Sequence, residues 1–339
     1  MSSAHRPDVA WSNRVDEADW VVERLRHPSE QVVASIVPDG FDAYVRILHP
    51  ASGGAGHEGS KVRWSEIASW SGYALAGDSA FHAVALRLEE TDEPPPWNLA
   101  GPRIGTMEGD ELAVLVDVLR GHTDTPDKCW FCIWAGYGWQ DEAAPASDVG
   151  LSLADPPVPP EVRDGSRVEL PLRTYLLYSG PIEAALAFVD SEGQSPNLFW
   201  PEDRSWCVAS EVDLSSTYVG GSNQLSTALL REDRIEAIGA KPSDATSRVD
   251  RRVAELVTTS IDALVSKRRV VIDTAVGIVF ASLARSRLRR GAATFAIATA
   301  RANGVVSRGK KATRIGQGED LRAALEPALT RAVIDLVGR

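Results

Sequence analysis

Beyond Tyr218 the sequence has no tryptophan and no tyrosine. All ten Trp and all six Tyr lie at or before that residue, and only Phe280 and Phe295 are aromatic after it. A stretch so poor in aromatic rings offers little for nucleobases to stack on. Cysteine is scarce too. Three cysteines in 339 residues exclude a disulfide framework and agree with a reducing compartment. The longest nearly uncharged apolar stretch, Val270 to Ala284, is interrupted by Asp273. It falls short of the roughly 18–20 residues that a spanning helix needs, so no transmembrane segment is expected. The first residues, Met1 to Asp8, are polar and lead into no apolar run. Neither a secretory nor a lipidation signal is expected from them, and the expected location is the cytoplasm.

What is present is divided unevenly. Residues 1–240 hold 17 Lys+Arg against 38 Asp+Glu, net −21, whereas residues 241–339 hold 19 against 9, net +10. One uniform domain rarely separates charge and aromatic content together, so the division predicts two parts with different partners. We place an acidic, Trp-rich α+β domain at 1–240 and a basic, helical region at 241–339.

Periodicity gives the elements of the first part. Val15 to Arg26 has apolar residues at helical spacing and is stopped by His27-Pro28. Gln31 to Val37 and Phe41 to Leu48 read as strands joined by the turn Pro38-Asp39-Gly40, a plausible hairpin. Phe81 to Leu88 alternates and reads as a strand with one apolar face. Asp110 to Leu119 predicts a helix, and Lys128 to Trp139 a central strand. Further strands are expected at Arg173 to Tyr178 and Trp206 to Val212, and helices at Ile182 to Val189 and Asn223 to Leu230. Thr91 to Pro102 and Asp141 to Pro160 read as loops. Helices and strands follow no β-α-β rhythm, so the fold class expected is α+β with a mainly antiparallel sheet and interspersed helices. Past Ala240, Val249 to Leu264 forms an amphipathic helix, and Leu321 to Leu336 a second helical segment divided by Pro327. The C-terminal region is therefore expected to be helix-rich.

Few motifs carry chemistry. Gly54-Ala55-Gly56-His57-Glu58-Gly59 matches the letters of a dinucleotide-binding loop, but Ser60 to Trp64 looks extended. The glycines therefore open no helix whose amides would face a phosphate, and the stretch reads as a loop. Cys129-Trp130-Phe131-Cys132 has redox or zinc spacing in a strand context. An offset of three sends the two sulfurs to opposite faces, and Cys207 supplies no second pair, so the thiols read as buried and structural. Ser215, Ser216, Thr217 and Ser222 sit in no nucleophile elbow and read as turn or cap residues. The carboxylate-rich runs show no acid and base pair. No catalytic residue, metal or cofactor is assigned.

The most distinctive stretch runs from Asn197 to Asp213 and includes Phe199-Trp200-Pro201-Glu202-Asp203-Arg204-Ser205-Trp206. With Ser216 to Ser222 and Ile133 to Trp139, it resembles a widespread family of uncharacterised actinobacterial proteins over most of residues 1–240. The resemblance implies a shared fold and supplies no activity. Trp200, Asp203, Arg204, Trp206 and Glu211 form the candidate ligand pocket, with the guanidinium stacked on an indole. The competing reading is an aromatic core with Arg204 tethered to Asp203 or Glu211.

From Ala263 to Arg314 there are 12 basic residues and one acid, Asp273, net +11. Lys267, Arg268 and Arg269, then Arg285, Arg287, Arg289 and Arg290, then Arg308, Lys310, Lys311 and Arg314 form three clusters suited to neutralising phosphates. The same pattern also fits docking on an acidic surface of this chain or another protomer, contact with anionic lipid, or an unselected extension. The leading expectation is a non-enzymatic binding protein whose basic region engages nucleic acid. The alternative is an enzyme or small-ligand binder working near Trp200 and Arg204, its basic region docked on the acidic domain or forming an oligomer contact.

Overall fold

The computed structural model describes residues 9–54, 59–87, 93–137, 162, 164–171, 173–246 and most of 251–334, with the backbone alone over 190–192, 251–253 and 263–315. The chain forms two compact units. Unit 1 joins Met1–His49 to Arg103–Thr246, and unit 2 joins Pro50–Pro102 to Ser247–Arg339. The change of charge at residue 240 therefore lies close to one unit boundary, while the stretch 50–102 groups with the basic C-terminal part.

The strands in chain order are β1 (Ala10–Trp11), β2 (Ala43–Leu48), β3 (Ala51–Ser52), β4 (Lys61–Val62), β5 (Cys129–Trp134), β6 (Val168–Leu170), β7 (Arg173–Gly180), β8 (Leu198–Pro201), β9 (Cys207–Ala209), β10 (Ser216–Gly221) and β11 (Ala237–Ala240). In unit 1 they make an antiparallel sheet ordered β1-β7-β5-β8-β9-β10-β2-β11, with β6 beside β7. The fold is thus α+β with a large antiparallel sheet.

Both faces of this sheet are covered, which explains why β5 reads as an unbroken apolar run. Alternation sends Cys129, Phe131 and Ile133 to one face and Trp130 and Cys132 to the other. On the first face lie helices α4 (Gly109–Arg120), α5 (Ala184–Glu192) and α6 (Asn223–Leu230), numbered after α1 (Asp19–Arg24), α2 (Trp64–Ser71) and α3 (Phe81–Val84). Leu112, Leu115 and Leu119 of α4 are fully buried there, each contributing about 1.5–3 kcal/mol. Helix α6 starts where the Ser222 hydroxyl accepts from the Leu225 N–H at 3.2 Å, the cap role expected of Ser222. The second face is covered by the N-terminal stretch through Ala18, Trp20, Val21, Val33 and Val37.

Two sequence expectations give way here. Gln31 to Val37 is not a strand: Val33–Ser35 is a single 3-10 turn, Val32 makes an isolated antiparallel bridge with Ala245, and the hairpin with Phe41 to Leu48 is not made. The turn itself is real, with Gly40 at φ +100°, but β2 pairs with β10 and β11 while Val33 and Val37 enter the core. Phe81 to Leu88 is not a strand, since Phe81–Val84 is helical. Phe81, Ala83, Val84, Ala85 and Leu86 are all buried, so no solvent-facing side marks the period.

In unit 2, β3 and β4 pair antiparallel. Trp64, Trp97 and Phe81 pack edge-on at 5.1 and 6.3 Å, and Trp70 lies 5.4 Å from Trp97. Helix α7 (Arg251–Lys267) agrees with the amphipathic pattern read at Val249 to Leu264, and buries Val257 and Ile261 one turn apart. It is followed by strands β12 (Arg269–Thr274), β13 (Gly277–Leu288), β14 (Gly291–Ala302), β15 (Val305–Val306) and β16 (Lys311–Ile315). These make a second antiparallel sheet, β12-β13-β14-β15 with β16 also on β14. Among the described residues of 241–339, helix accounts for α7 and for short pieces around Leu325 and Leu329, and strands account for 269–315. No helix among the described residues is long and apolar enough to cross a membrane.

Candidate functional site

The five residues read as a pocket do not converge. Trp200 is 1% exposed on the face covered by the N-terminal stretch, whereas Trp206 is fully buried on the helix-covered face. Asp203 closes a turn by accepting from the Thr123 hydroxyl at 2.8 Å and the N–H groups of Asp124 and Ser205 at 2.7 and 3.0 Å. Burial alone would raise its pKa, but the hydrogen bonds from Ser205, Thr123 and Asp124 outweigh that and hold it below the usual range. Glu211 pairs with Arg173 at 2.8 Å. Arg204 is tethered to neither acid. It stands exposed on the turn after β8, with its guanidinium 5.6 Å from the centroid of Trp20.

The bland reading of the cysteines agrees with the structure. Cys129 and Cys132 are buried on opposite faces of the sheet, and Cys207 is buried with Cys132. Burial pushes the Cys129 thiol up to about 12 and raises the other two well above the ordinary range. Residues 55–58 of the glycine-rich stretch lie outside the described residues, and the chain after Gly59 enters β4 before α2 begins at Trp64. Among the described residues no group of three or more His, Cys, Asp or Glu is placed to hold a metal ion.

Sequence reasoning missed a buried polar chain at one end of the unit 1 sheet. His49, Thr217 and Ser210 are each at most 2% exposed. The His49 Nδ1 lies 2.9 Å from the Arg103 carbonyl oxygen, which can only accept, so Nδ1 carries the proton. The other ring nitrogen, Nε2, is then the acceptor for the Thr217 hydroxyl at 2.9 Å, and Thr217 in turn accepts from Ser210 at 2.6 Å. Burial drives the His49 pKa down to about 4, with the charges of Arg46 and Arg103 acting the same way. Asn197 extends the chain, donating to the Ser210 carbonyl at 3.2 Å and accepting from the Trp134 N–H at 2.8 Å. Nearby, Arg46 donates to Ser216 at 2.9 Å. Ser216 and Thr217 are therefore interior strand residues rather than turn or cap residues. A Thr hydroxyl on a neutral, oriented imidazole has nucleophile-and-base connectivity. Its burial makes it a lock between strand ends. Gly105 at φ +75° lets a neighbouring loop close on this end, since a Cβ there would stand 2.8 Å from the Val212 Cα.

The basic clusters fall on α7 and the second sheet. Lys267 ends α7, Arg269 is on β12, Arg285 and Arg287 on β13, and Lys311 and Arg314 on β16. Arg268, Arg289, Arg290, Arg308 and Lys310 lie outside the described residues. Arg285 stands opposite Thr294, Arg287 opposite Ala292, Arg269 opposite Ser282, Lys311 opposite Ala298 and Arg314 opposite Phe295. Opposed positions share a face, so Arg285, Arg287 and Lys311 belong to one face and Arg269 and Arg314 to the other. β12 ends opposite Ser282 and β16 opposite Thr294, yet the β13–β14 ladder continues to Leu288 and Gly291. Among the described residues its end is two-stranded, with Arg287 on it.

A second group of cations lies on unit 1, over indoles. Arg24 and Arg204 stand 5.8 and 5.6 Å from the centroid of Trp20, and Arg14 and Lys128 stand 5.5 and 5.8 Å from that of Trp130. Arg14 pairs with Glu17 and Lys128 with Glu202, which also accepts from the Trp130 Nε1 at 2.7 Å. The Lys128 ammonium is the chief cause holding the Glu202 carboxyl below its usual range. No family model, no curated protein and no solved structure matches the chain.

Proposed function

We propose that this chain is a non-enzymatic binding protein whose basic C-terminal region engages a polyanion, a nucleic acid in the first instance. The observation that carries this reading is the β13–β14 ladder, which runs past the described ends of β12 and β16. Arg285 and Arg287 share one of its faces, and the sequence between Leu288 and Gly291 is Arg289-Arg290. A two-stranded ribbon fits the major groove of DNA, and paired strands are an established way of presenting cations to phosphates. The scarcity of aromatic residues in this region favours phosphate neutralisation over base stacking. Recognition is then weakly specific and strongly dependent on salt.

The test is a titration of the full chain with mixed-sequence duplex DNA and with single-stranded RNA at several salt concentrations. We expect affinity to fall about 10³-fold or more between 50 and 200 mM salt if about six phosphates are contacted. Binding that ignores salt, or no binding at low salt, overturns the proposal.

A further inference from the structure

Resting on the nucleic-acid reading above, we infer that Arg285 and Arg287 take neighbouring phosphates of a single nucleic-acid strand from one face of the β13–β14 ladder. The face on which a cation stands, and not the total charge of the region, then decides the binding. Three features of the register lead there.

The first is where the cations fall. Opposed residues of paired strands share a face, and successive residues along a strand change it. Arg285 and Arg287 are two residues apart on β13, opposite Thr294 and Ala292 of β14. From Ser282 to Leu288 and from Gly291 to Ile297 they are the only charged residues, so all the charge of these two stretches belongs to one face. The other face takes Ala284, Ser286 and Leu288 of β13 and Ala293, Phe295 and Ile297 of β14. The cation of the neighbouring strand on that other face is Arg314 of β16, opposite Phe295.

The second is the place of the acid. Asp273 is the one acidic residue among the described strand residues of the second sheet. It stands opposite Ile278, on the face that holds Arg269 and Ser282. Arg285 and Arg287 therefore share their face with no carboxylate of the sheet, and the charge on that face is not cancelled within it.

The third is spacing. An antiparallel strand rises about 3.4 Å per residue, which sets Arg285 and Arg287 about 6.8 Å apart along β13. Neighbouring phosphates along one strand of nucleic acid are a similar step apart, so a phosphodiester backbone supplies one anion to each guanidinium.

The experiment moves one arginine by the shortest possible step, in the full chain, without changing the net charge. Arg287→Ser with Ala292→Arg carries the cation across to β14 on the same face, whereas Arg287→Ser with Ser286→Arg carries it to the adjoining residue on the other face. Each chain is titrated with mixed-sequence single-stranded DNA and with its duplex at several salt concentrations, and its melting temperature is recorded. The same-face chain should bind within about threefold of the parent. The other-face chain should bind about tenfold more weakly at low salt. Its slope of log K against log salt should also shrink by about 0.9 on duplex and about 0.7 on single strands. If the Ser286→Arg chain does not fold, Ala293→Arg, opposite Ser286 on that same other face, takes its place.

No salt-dependent binding by the parent overturns the nucleic-acid reading and this inference with it. Binding by the parent, with both relocated chains retaining it or both losing it alike, overturns the face inference alone. A loss on duplex that is missing on single strands overturns the assignment to one strand.

Discussion

Unit 1 and unit 2 reach their cores by different routes. Unit 1 builds one sheet with both faces covered, and its central strands alternate large apolar residues between two cores. Unit 2 is assembled from stretches distant in the chain. Residues 50–102 hold 3 Lys+Arg against 7 Asp+Glu, net −4, and supply Trp64, Trp70 and Trp97, while residues 247–339 hold 18 against 8, net +10. Together they give net +6, facing −17 for unit 1. Charge summed along the sequence therefore overstates the contrast between the folded parts. The aromatic-poor region shares a compact unit with an aromatic-rich one.

The comparison is open to attack at four points. The largest expected effect is in the unit 1 core. Phe199→Ala should destabilise by about 3–5 kcal/mol, since Phe199 is 1% exposed and packs against Phe131 and Trp206. Denaturant titration measures it, and a loss under about 1 kcal/mol would contradict a sheet packed on both faces.

Next comes pH. The folded pKa of His49 is about 4 against 6.5 when unfolded, so between those values the unfolded chain binds more protons. The stabilisation is complete above 6.5 and is lost as pH falls toward 4, about 3 kcal/mol in all. In His49→Gln the stability measured between pH 6.5 and 4 should lose that part of its slope. An unchanged slope would mean that His49 is protonated in the folded chain.

Smaller is the effect of single cations in unit 2. Arg285→Gln and Arg287→Gln should each lower the salt dependence of DNA binding by about one unit of log K against log salt. Equal losses from Arg120→Gln, in unit 1 and paired with Glu183, would remove the distinction between the units.

The smallest concerns the thiols. At pH 8 a thiol reagent should leave Cys129, Cys132 and Cys207 unmodified in the native chain and modify all three in denaturant, because burial suppresses the thiolate. Fast native modification would show that the core opens.

Much of the first unit was legible from local pattern. Helix α4 follows from Leu112, Leu115, Val116 and Leu119, and the opposed thiols of Cys129 and Cys132 follow from strand alternation. Phe81 to Leu88 misled because its residues fit both periods and because Phe81, Ala83, Val84, Ala85 and Leu86 are all buried. The candidate pocket misled for a related reason. Nearness in sequence puts Trp200 beside Trp206, but the turn at Asp203 and Arg204 returns the chain with the second indole on the opposite face. The His49 chain had no local signature, because its partners lie as far off as Thr217 and Arg103.

By itself, then, the sequence determined periodicity and composition: that α4 and α7 are amphipathic helices, that β5 is apolar on both faces, and where positive charge accumulates. Those properties depend on neighbours a few residues apart. Only the tertiary structure decided which strands pair, that residues 50–102 share a unit with 247–339, that Arg204 lies over Trp20, and that His49 sits neutral against Thr217. Each of these depends on residues far apart in the chain, whose meeting is governed by the packing of whole elements and the need to satisfy buried polar groups.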